Sequence, residues 1–237
     1  MRDLLMNEEY FINYVNFQNK RIEKFEALLE KSIKDNGIEF KGVRTGQLAL
    51  LNFYLNKATA LYSAGESIEK IKELYPLIQK YFVFVWNKEG SYSILLKVLS
   101  LGILLNISME NFQELIFLVK NEKMNDCLIN RLLHYIDNSV DTVNISPLFE
   151  PYIFLDSILL NDNGNNQSLL LLQDYLENKW YKGHKDCGWY DSHKSNQNTY
   201  CGYWSFETAA VAKILNIDDG KLKNTMYYPY DLAHFDG

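Results

Sequence analysis

Residues 45–86, TGQLALLNFYLNKATALYSAGESIEKIKELYPLIQKYFVFVW, decide the fold. Their first half, 45–64, is apolar almost all round, with Leu48, Leu50, Leu51, Phe53, Leu55, Ala58, Ala60 and Leu61. A helix without a polar face belongs in the middle of a core. Ala64-Gly65-Glu66-Ser67 reads as a turn, with Ser67 placed to cap a second helix. That second half, 67–86, sets Ile68, Ile71, Leu74, Tyr75, Ile78, Tyr81, Phe82 and Val85 on one face. Pro76 cannot donate to the helical ladder and is expected to bend or split it. Two such helices across a glycine turn make an antiparallel hairpin.

The same grammar extends in both directions. Residues 3–36 read as one long helix whose stripe is Phe11, Val15, Gln18, Ile22, Phe25, Leu29 and Ile33, ended by Asn36-Gly37. Ser91 to Leu105 reads as a buried helix, with further helices at 109–120, capped by Ser108, and at 124–137. The turns LLNISMENF (104–112) and KILNIDDGKL (213–222) are alike: an apolar helix end, Asn, Ile, a capping residue, a new helix. Ser146-Pro147 marks a helix start, and that helix carries Phe149, Tyr152, Ile153, Leu155, Ile158 and Leu159. Asn161 to Asn166 reads as a loop, and a further helix runs from Leu169 to near Tyr181. Residues 182–202 read as a long irregular loop, a length that marks function or disorder. Ser205 then caps a helix through Leu215, Asp218-Asp219-Gly220 a short turn, and Asp231 the last turn. No stretch alternates at period two. The expected fold is therefore all-α: antiparallel helical hairpins packed side by side, helical-repeat-like, with no significant sheet. The polar segment at 138–146 divides it into an N-terminal helical domain, 1–143, and a C-terminal one, 144–237.

At 47% hydrophobic, with four prolines and twelve glycines, 237 residues can bury a sizeable core. The net charge is −6 and it is uneven: 17 basic against 19 acidic residues over 1–150, but 7 against 11 over 151–237. An acidic surface repels nucleic acid and suits a basic partner. Three cysteines, Cys127, Cys187 and Cys201, do not make a disulfide framework. MRDLLMNEEYFINYV has acids where a signal peptide needs an apolar run, and no stretch is apolar enough for a membrane span. These features point to a cytoplasmic protein with neither membrane nor nucleic-acid partner.

Three groups of residues could carry chemistry. His184, Asp186, Cys187, Asp191, His193 and Cys201 offer zinc-ligating atoms, but their spacing fits no zinc pattern, so no metal and no cofactor is expected. Glu207 and Asp231 could form an acid/base pair, but Glu207 sits in the first turn of a helix, where the dipole favours a carboxylate for structural reasons. There is no nucleophile elbow and no phosphate-cradling glycine loop. The third group is aromatic: Trp180, Tyr181, Trp189, Tyr190, Tyr200, Tyr203, Trp204 and Phe206 lie among acids, a composition for protein contact rather than for a nucleic-acid groove.

Gly202-Tyr203-Trp204-Ser205-Phe206-Glu207-Thr208-Ala209-Ala210, then Ile217-Asp218-Asp219 with Leu222-Lys223, then Tyr227-Tyr228-Pro229-Tyr230-Asp231-Leu232, resembles the C-terminal signature of the PoNi immunity family. The first helix, with Arg2-Asp3, Tyr10-Phe11 and Arg21-Ile22-Glu23-Lys24, is similar to the N-terminal domain paired with it. The sequence departs from the pattern at Cys201, where a tyrosine is expected, and at Asn224-Thr225-Met226. The resemblance implies a helical, non-enzymatic, cytoplasmic protein that binds and neutralises a cognate PoNe-type DNase toxin. A DNase presents a basic surface to DNA, so the partner-binding residues expected here are Asp186, Trp189, Asp191, Glu207, Asp218, Asp219 and Asp231. The alternatives are a helical-repeat adaptor for another protein, or a metal-dependent hydrolase using the 184–193 loop.

Overall fold

The helical hairpin is present in the computed structural model, which describes residues 1–236 apart from 125, 144, 146, 148 and 161–163. In chain order the helices are α1 Glu8–Asn36, α2 Lys41–Ala64, α3 Ile68–Lys72, α4 Tyr75–Val85, α5 Tyr92–Leu104 and α6 Met109–Asn121. They continue with α7 Cys127–Ile136, α8 Asp156–Leu159, α9 Gly164–Asp174, α10 Tyr181–Gly183, α11 Phe206–Ile214 and α12 Tyr230–Ala233. Among the described residues there is no strand, so the fold is all-α. None of their helices is long and apolar enough to cross a membrane. Contacts gather the chain into two compact units: Met1–Trp86 with Asp191–Gly202, and Asn87–Tyr190 with Tyr203–Gly237.

In the first unit α2 is central, packed on α1 and α4. The stripe of α1 is buried at Phe11, Gln18, Ile22 and Leu29, with Tyr14 buried beside it and Val15, Phe25 and Ile33 half-buried. Phe25 meets Phe53 edge-on at 5.0 Å, and the Arg21 guanidinium lies 3.8 Å over the Phe53 ring. Tyr54 and Tyr81 stack at 5.8 Å and both donate to Glu26 Oε1, at 2.8 and 3.3 Å, so one carboxylate ties three helices. Pro76 splits the second arm: α3 stops at Lys72 and α4 restarts at Tyr75, with the proline in its first turn, where a missing amide costs nothing. Ser67 stands at the cap position of α3 but makes no side-chain bond to it.

α1 starts at Glu8, five residues later than the periodicity predicts. Asn7 Oδ1 accepts from the Tyr10 amide at 2.9 Å, and the Asp3 carboxylate accepts from the Leu5 and Met6 amides at 2.8 and 3.0 Å. Side chains that take up backbone donors locally compete with the helix. The first residues instead lie along the end of α2. The Arg2 and Asp3 amides both donate to Ser63 O at 3.0 Å, and Arg2 Nη1 donates to Glu66 O at 2.8 Å. Gly65 ends α2 in the left-handed region, at φ 86, and a Cβ there would lie 2.7 Å from the Met1 nitrogen.

In the second unit α5 is buried along its length and packs on α11 and α7. Asp126 caps α7 through the Ile129 amide at 3.0 Å and accepts the Tyr92 hydroxyl at 2.9 Å. The two look-alike turns are the same device. Asn106 and Asn216 are left-handed, at φ 51 and 53. Ile107 N donates to Gly102 O at 3.0 Å and Ile217 N to Ala212 O at 2.9 Å, while each Asn amide reaches the carbonyl three residues back. This is the Schellman ending with Asn in place of glycine. The two ends are joined, since Lys213 Nζ donates to Asn106 Oδ1 at 2.8 Å. Lys97, in the first half of α5, lies 5.5 Å over the ring of Phe206, the first residue of α11. The helices therefore run in the same direction, a pairing between non-consecutive helices that no hairpin reading contains.

The 147–181 region departs most from expectation. In place of one helix there is a 3₁₀ turn, Tyr152–Leu155, leading into the single turn of α8. α9 begins at Gly164 rather than Leu169. The Ser146 cap and the loop residues Asn161, Asp162 and Asn163 lie outside the described residues. Asp231 is inside α12 rather than at its cap, which is Pro229.

Candidate interaction surface

α9 passes without a break into a π turn, Tyr175–Trp180. In an α-helix, residues five apart diverge by about 140°; i→i+5 bonding narrows that angle and brings them toward one face. Tyr175 and Trp180 are five apart, and both donate to Glu207 Oε1, at 3.4 and 2.6 Å. Ser205 Oγ donates to the same oxygen at 2.6 Å, and Thr208 Oγ1 lies 2.6 Å from Ser205 Oγ. Ser205 thus serves Glu207 and makes no cap bond to α11. Burial pushes the Glu207 carboxyl above its ordinary value, opposed by the bonds from Ser205, its own amide, Trp180 and Tyr175.

His184 is buried in the same unit. Its Nδ1 lies 2.6 Å from Trp180 O and its Nε2 lies 3.0 Å from the Tyr152 hydroxyl. A carbonyl only accepts, so Nδ1 carries the proton and Nε2 accepts from Tyr152. Burial holds the imidazole below its ordinary value, against the Trp180 carbonyl. The neutral ring therefore supplies stability above the ordinary histidine value, 6.5, and that stability is lost as pH falls through the depressed one. NMR of the imidazole should show His184 neutral at pH 7, protonated at Nδ1, with a midpoint below the ordinary histidine value; a midpoint above it would contradict this.

Rings close around these two groups. Trp180 stacks on Trp189 at 5.6 Å and meets Tyr227 at 5.0 Å. Tyr181 stacks on Tyr190 at 4.5 Å and on Tyr227 at 5.3 Å, and Tyr203 lies 5.4 Å from Trp189. Trp189 and Tyr190 remain half-buried, so the cluster has a face on solvent.

The expected partner-binding residues fall into different environments. Asp186, Asp218 and Asp231 are exposed, and Trp189 is half-buried. Glu207 and Asp219 are buried, at 6% and 5% exposure, and hold structure from within. Asp219 accepts the Tyr228 hydroxyl on Oδ2 and lies 2.7 Å from His234 Nε2 on Oδ1. Asp218 is fixed by its amide, which donates to Asn165 Oδ1 at 2.9 Å. All six belong to the second unit. Asp191 belongs to the first, left-handed at φ 55 and paired with Lys194 at 2.9 Å. There, Tyr200 closes the segment: its hydroxyl donates to Asp3 Oδ2, its amide donates to Tyr10 Oη at 3.1 Å, and the Tyr10 hydroxyl donates to its carbonyl at 2.8 Å. Cys201 O accepts from Ser63 Oγ at 2.8 Å.

The whole chain matches a crystal structure, that of protein PA2201 from Pseudomonas aeruginosa, with a TM-score of 0.66 over 99% of this chain and 97% of that one, at 14% identity. That likeness speaks for the fold. No curated protein matches the sequence. Two family descriptions do: "PoNe immunity protein (PoNi), N-terminal" over residues 2–117 and "PoNe immunity proteins (PoNi), C-terminal" over residues 124–232. The chain belongs to the PoNi family.

The structure explains why the PoNi signature reads as it does. Tyr227, left-handed at φ 71, turns its carbonyl to the Ser205 amide at 2.8 Å and its ring onto Trp180 and Tyr181. Tyr228 reaches Asp219, and Pro229 O accepts from Leu232 and Ala233, both at 3.1 Å. Ala209, Ala210 and Ala212 are buried where α11 packs on α5. Sequence patterning marks Trp180 and His184 but not their partners. Glu207 is 27 residues from Trp180, and nothing in a one-dimensional pattern marks a π turn.

Proposed function

We propose that this PoNi chain protects the cell that makes it by binding a cognate PoNe-type DNase and covering the basic surface that the nuclease presents to DNA. The observation that carries the proposal is the match to both halves of an immunity family along nearly the whole chain. The acidic excess beyond residue 150 and the half-exposed Trp189–Tyr190 face support it. The candidate residues contribute in two ways. Asp186, Asp191, Asp218, Asp231 and Trp189 meet the partner; Glu207 and Asp219 set the backbone that presents them. The chain acts without catalysis, in the cytoplasm, and its division at residues 143 and 144 is proposed on the same footing.

The test is to look for a PoNe-type nuclease gene beside this one and to co-express the two. Growth is rescued and the two proteins co-purify; failure of both would sink the proposal. Steering by opposite charge gives a second expected result: the association rate falls roughly tenfold or more from low to physiological salt. A salt-independent rate would count against electrostatic docking.

A further inference from the structure

The segment 149–160 has one apolar face too many. As a single helix, Phe149, Tyr152, Ile153, Leu155, Ile158 and Leu159 would spread over more than half of its circumference, more than one core-facing stripe can hold. The 3₁₀ turn and α8 instead divide them. Tyr152, Leu155, Ile158 and Leu159 are buried, while Phe149, Ile153 and Phe154 stay 51%, 42% and 42% exposed. Three large apolar side chains in six residues are a patch, unlike single exposed leucines. Two are held in place: the Phe149 ring lies 4.9 Å from Tyr92, and Lys179 Nζ lies 4.8 Å over Phe154. Ile153, Phe154, Asp156, Ser157 and Leu160 line a shallow groove of about 530 Å³.

We infer that this groove anchors a basic amphipathic segment of a protein partner, one apolar side chain seated against Ile153 and Phe154 with a Lys or Arg beside it. The partner's chemistry is set by charge. Asp156 is in the groove wall and the exposed Glu150 precedes it, while Asp174, 3.7 Å from the Lys179 that covers Phe154, offsets that cation and leaves the surroundings net acidic. An anionic membrane, or a second copy of a chain with net charge −6, would bring like charge to these carboxylates. A cationic segment brings the opposite sign and matches the apolar wall. The groove is small, so it is an anchor within an interface that needs on the order of 1,000 Å², and its pre-set rings reduce the entropy lost on binding.

The inference rests on the immunity reading, and the experiment separates the two. The probe is the nuclease domain encoded beside this chain, with its activity removed by mutation, titrated against the purified full chain. Phe154→Asp and Ile153→Asp are expected to weaken binding at least tenfold, as hot-spot losses do, with unchanged melting temperatures. Asp174→Lys should slow association and flatten its salt dependence. Phe117→Asp, an exposed apolar site on α6 at 68%, should bind as wild type. Phe154→Ala gives the same answer should an aspartate disturb the fold. Wild-type binding with Phe154→Asp, Ile153→Asp and Phe154→Ala all unchanged would overturn the groove and leave the immunity reading standing. No binding by wild type would overturn both. Self-association of wild type lost in Phe154→Asp, read by sedimentation, would assign the groove to a second copy and overturn the inference.

Discussion

Glu207→Ala should unfold at markedly lower urea than Glu207→Gln, by about 3 kcal/mol. Both variants relieve the cost of burying a carboxyl group, so their difference isolates the acceptor. Glutamine keeps an oxygen for the Trp180, Ser205 and Tyr175 donors, whereas alanine leaves all three buried without it. The pH dependence separates the wild type from Glu207→Gln. The folded carboxyl is raised above its ordinary value by burial. Its contribution to stability is therefore full below the ordinary carboxylate range and is lost as pH rises through the raised value. The stability of Glu207→Gln relative to wild type should grow as pH rises through that window, then level off. Equal urea midpoints for Glu207→Ala and Glu207→Gln would show that the three bonds do not hold this region together.

The second large effect is at a residue near the start of the chain. Asp3→Ala should cost about 2–4 kcal/mol, where substitutions near a terminus ordinarily cost little. Asp3 is 5% exposed and Tyr200 1% exposed. Removing the carboxylate strands the Tyr200 hydroxyl and the Leu5 and Met6 amides. Tyr200→Phe removes the hydroxyl as well, so the double variant should lose less than the sum of the singles, with a coupling of about 1–3 kcal/mol. Additive losses in urea titrations would show that the pair does not act together. The same pair pins the 191–202 segment within its own unit, since Asp3 holds the Tyr200 hydroxyl.

Much of the fold is legible in the sequence because it rests on local rules. The α1 stripe, the central place of α2, the break at Pro76 and the alike turns at Asn106 and Asn216 each come from spacing, a left-handed Asn and a missing amide, and each is present, although Leu48 of α2 is 44% exposed. The departures have physical causes. Where side chains compete with the helical ladder, as Asp3 and Asn7 do ahead of α1, periodicity places the boundary too early. Where apolar residues exceed one face, as at 149–159, periodicity alone cannot say which of them turn outward.

The candidate site divides in the same way. Asp186, Asp218 and Asp231 are exposed as acids in turns and first helical turns commonly are. Glu207 and Asp219 read as contact acids in the sequence because it shows a charge but not its partners. Their burial depends on donors 27 and 9 residues away, from Trp180 and Tyr228. By itself the sequence determined that the chain is helical, acidic toward its C-terminus and a member of the PoNi family, since composition, period and signature are properties of the string. Only the tertiary structure decided which acids face solvent, that a π turn aims two donors at one carboxylate, and that Ile153 and Phe154 are left uncovered. The physical reason is that burial and hydrogen-bond partnership are set by residues distant in the chain.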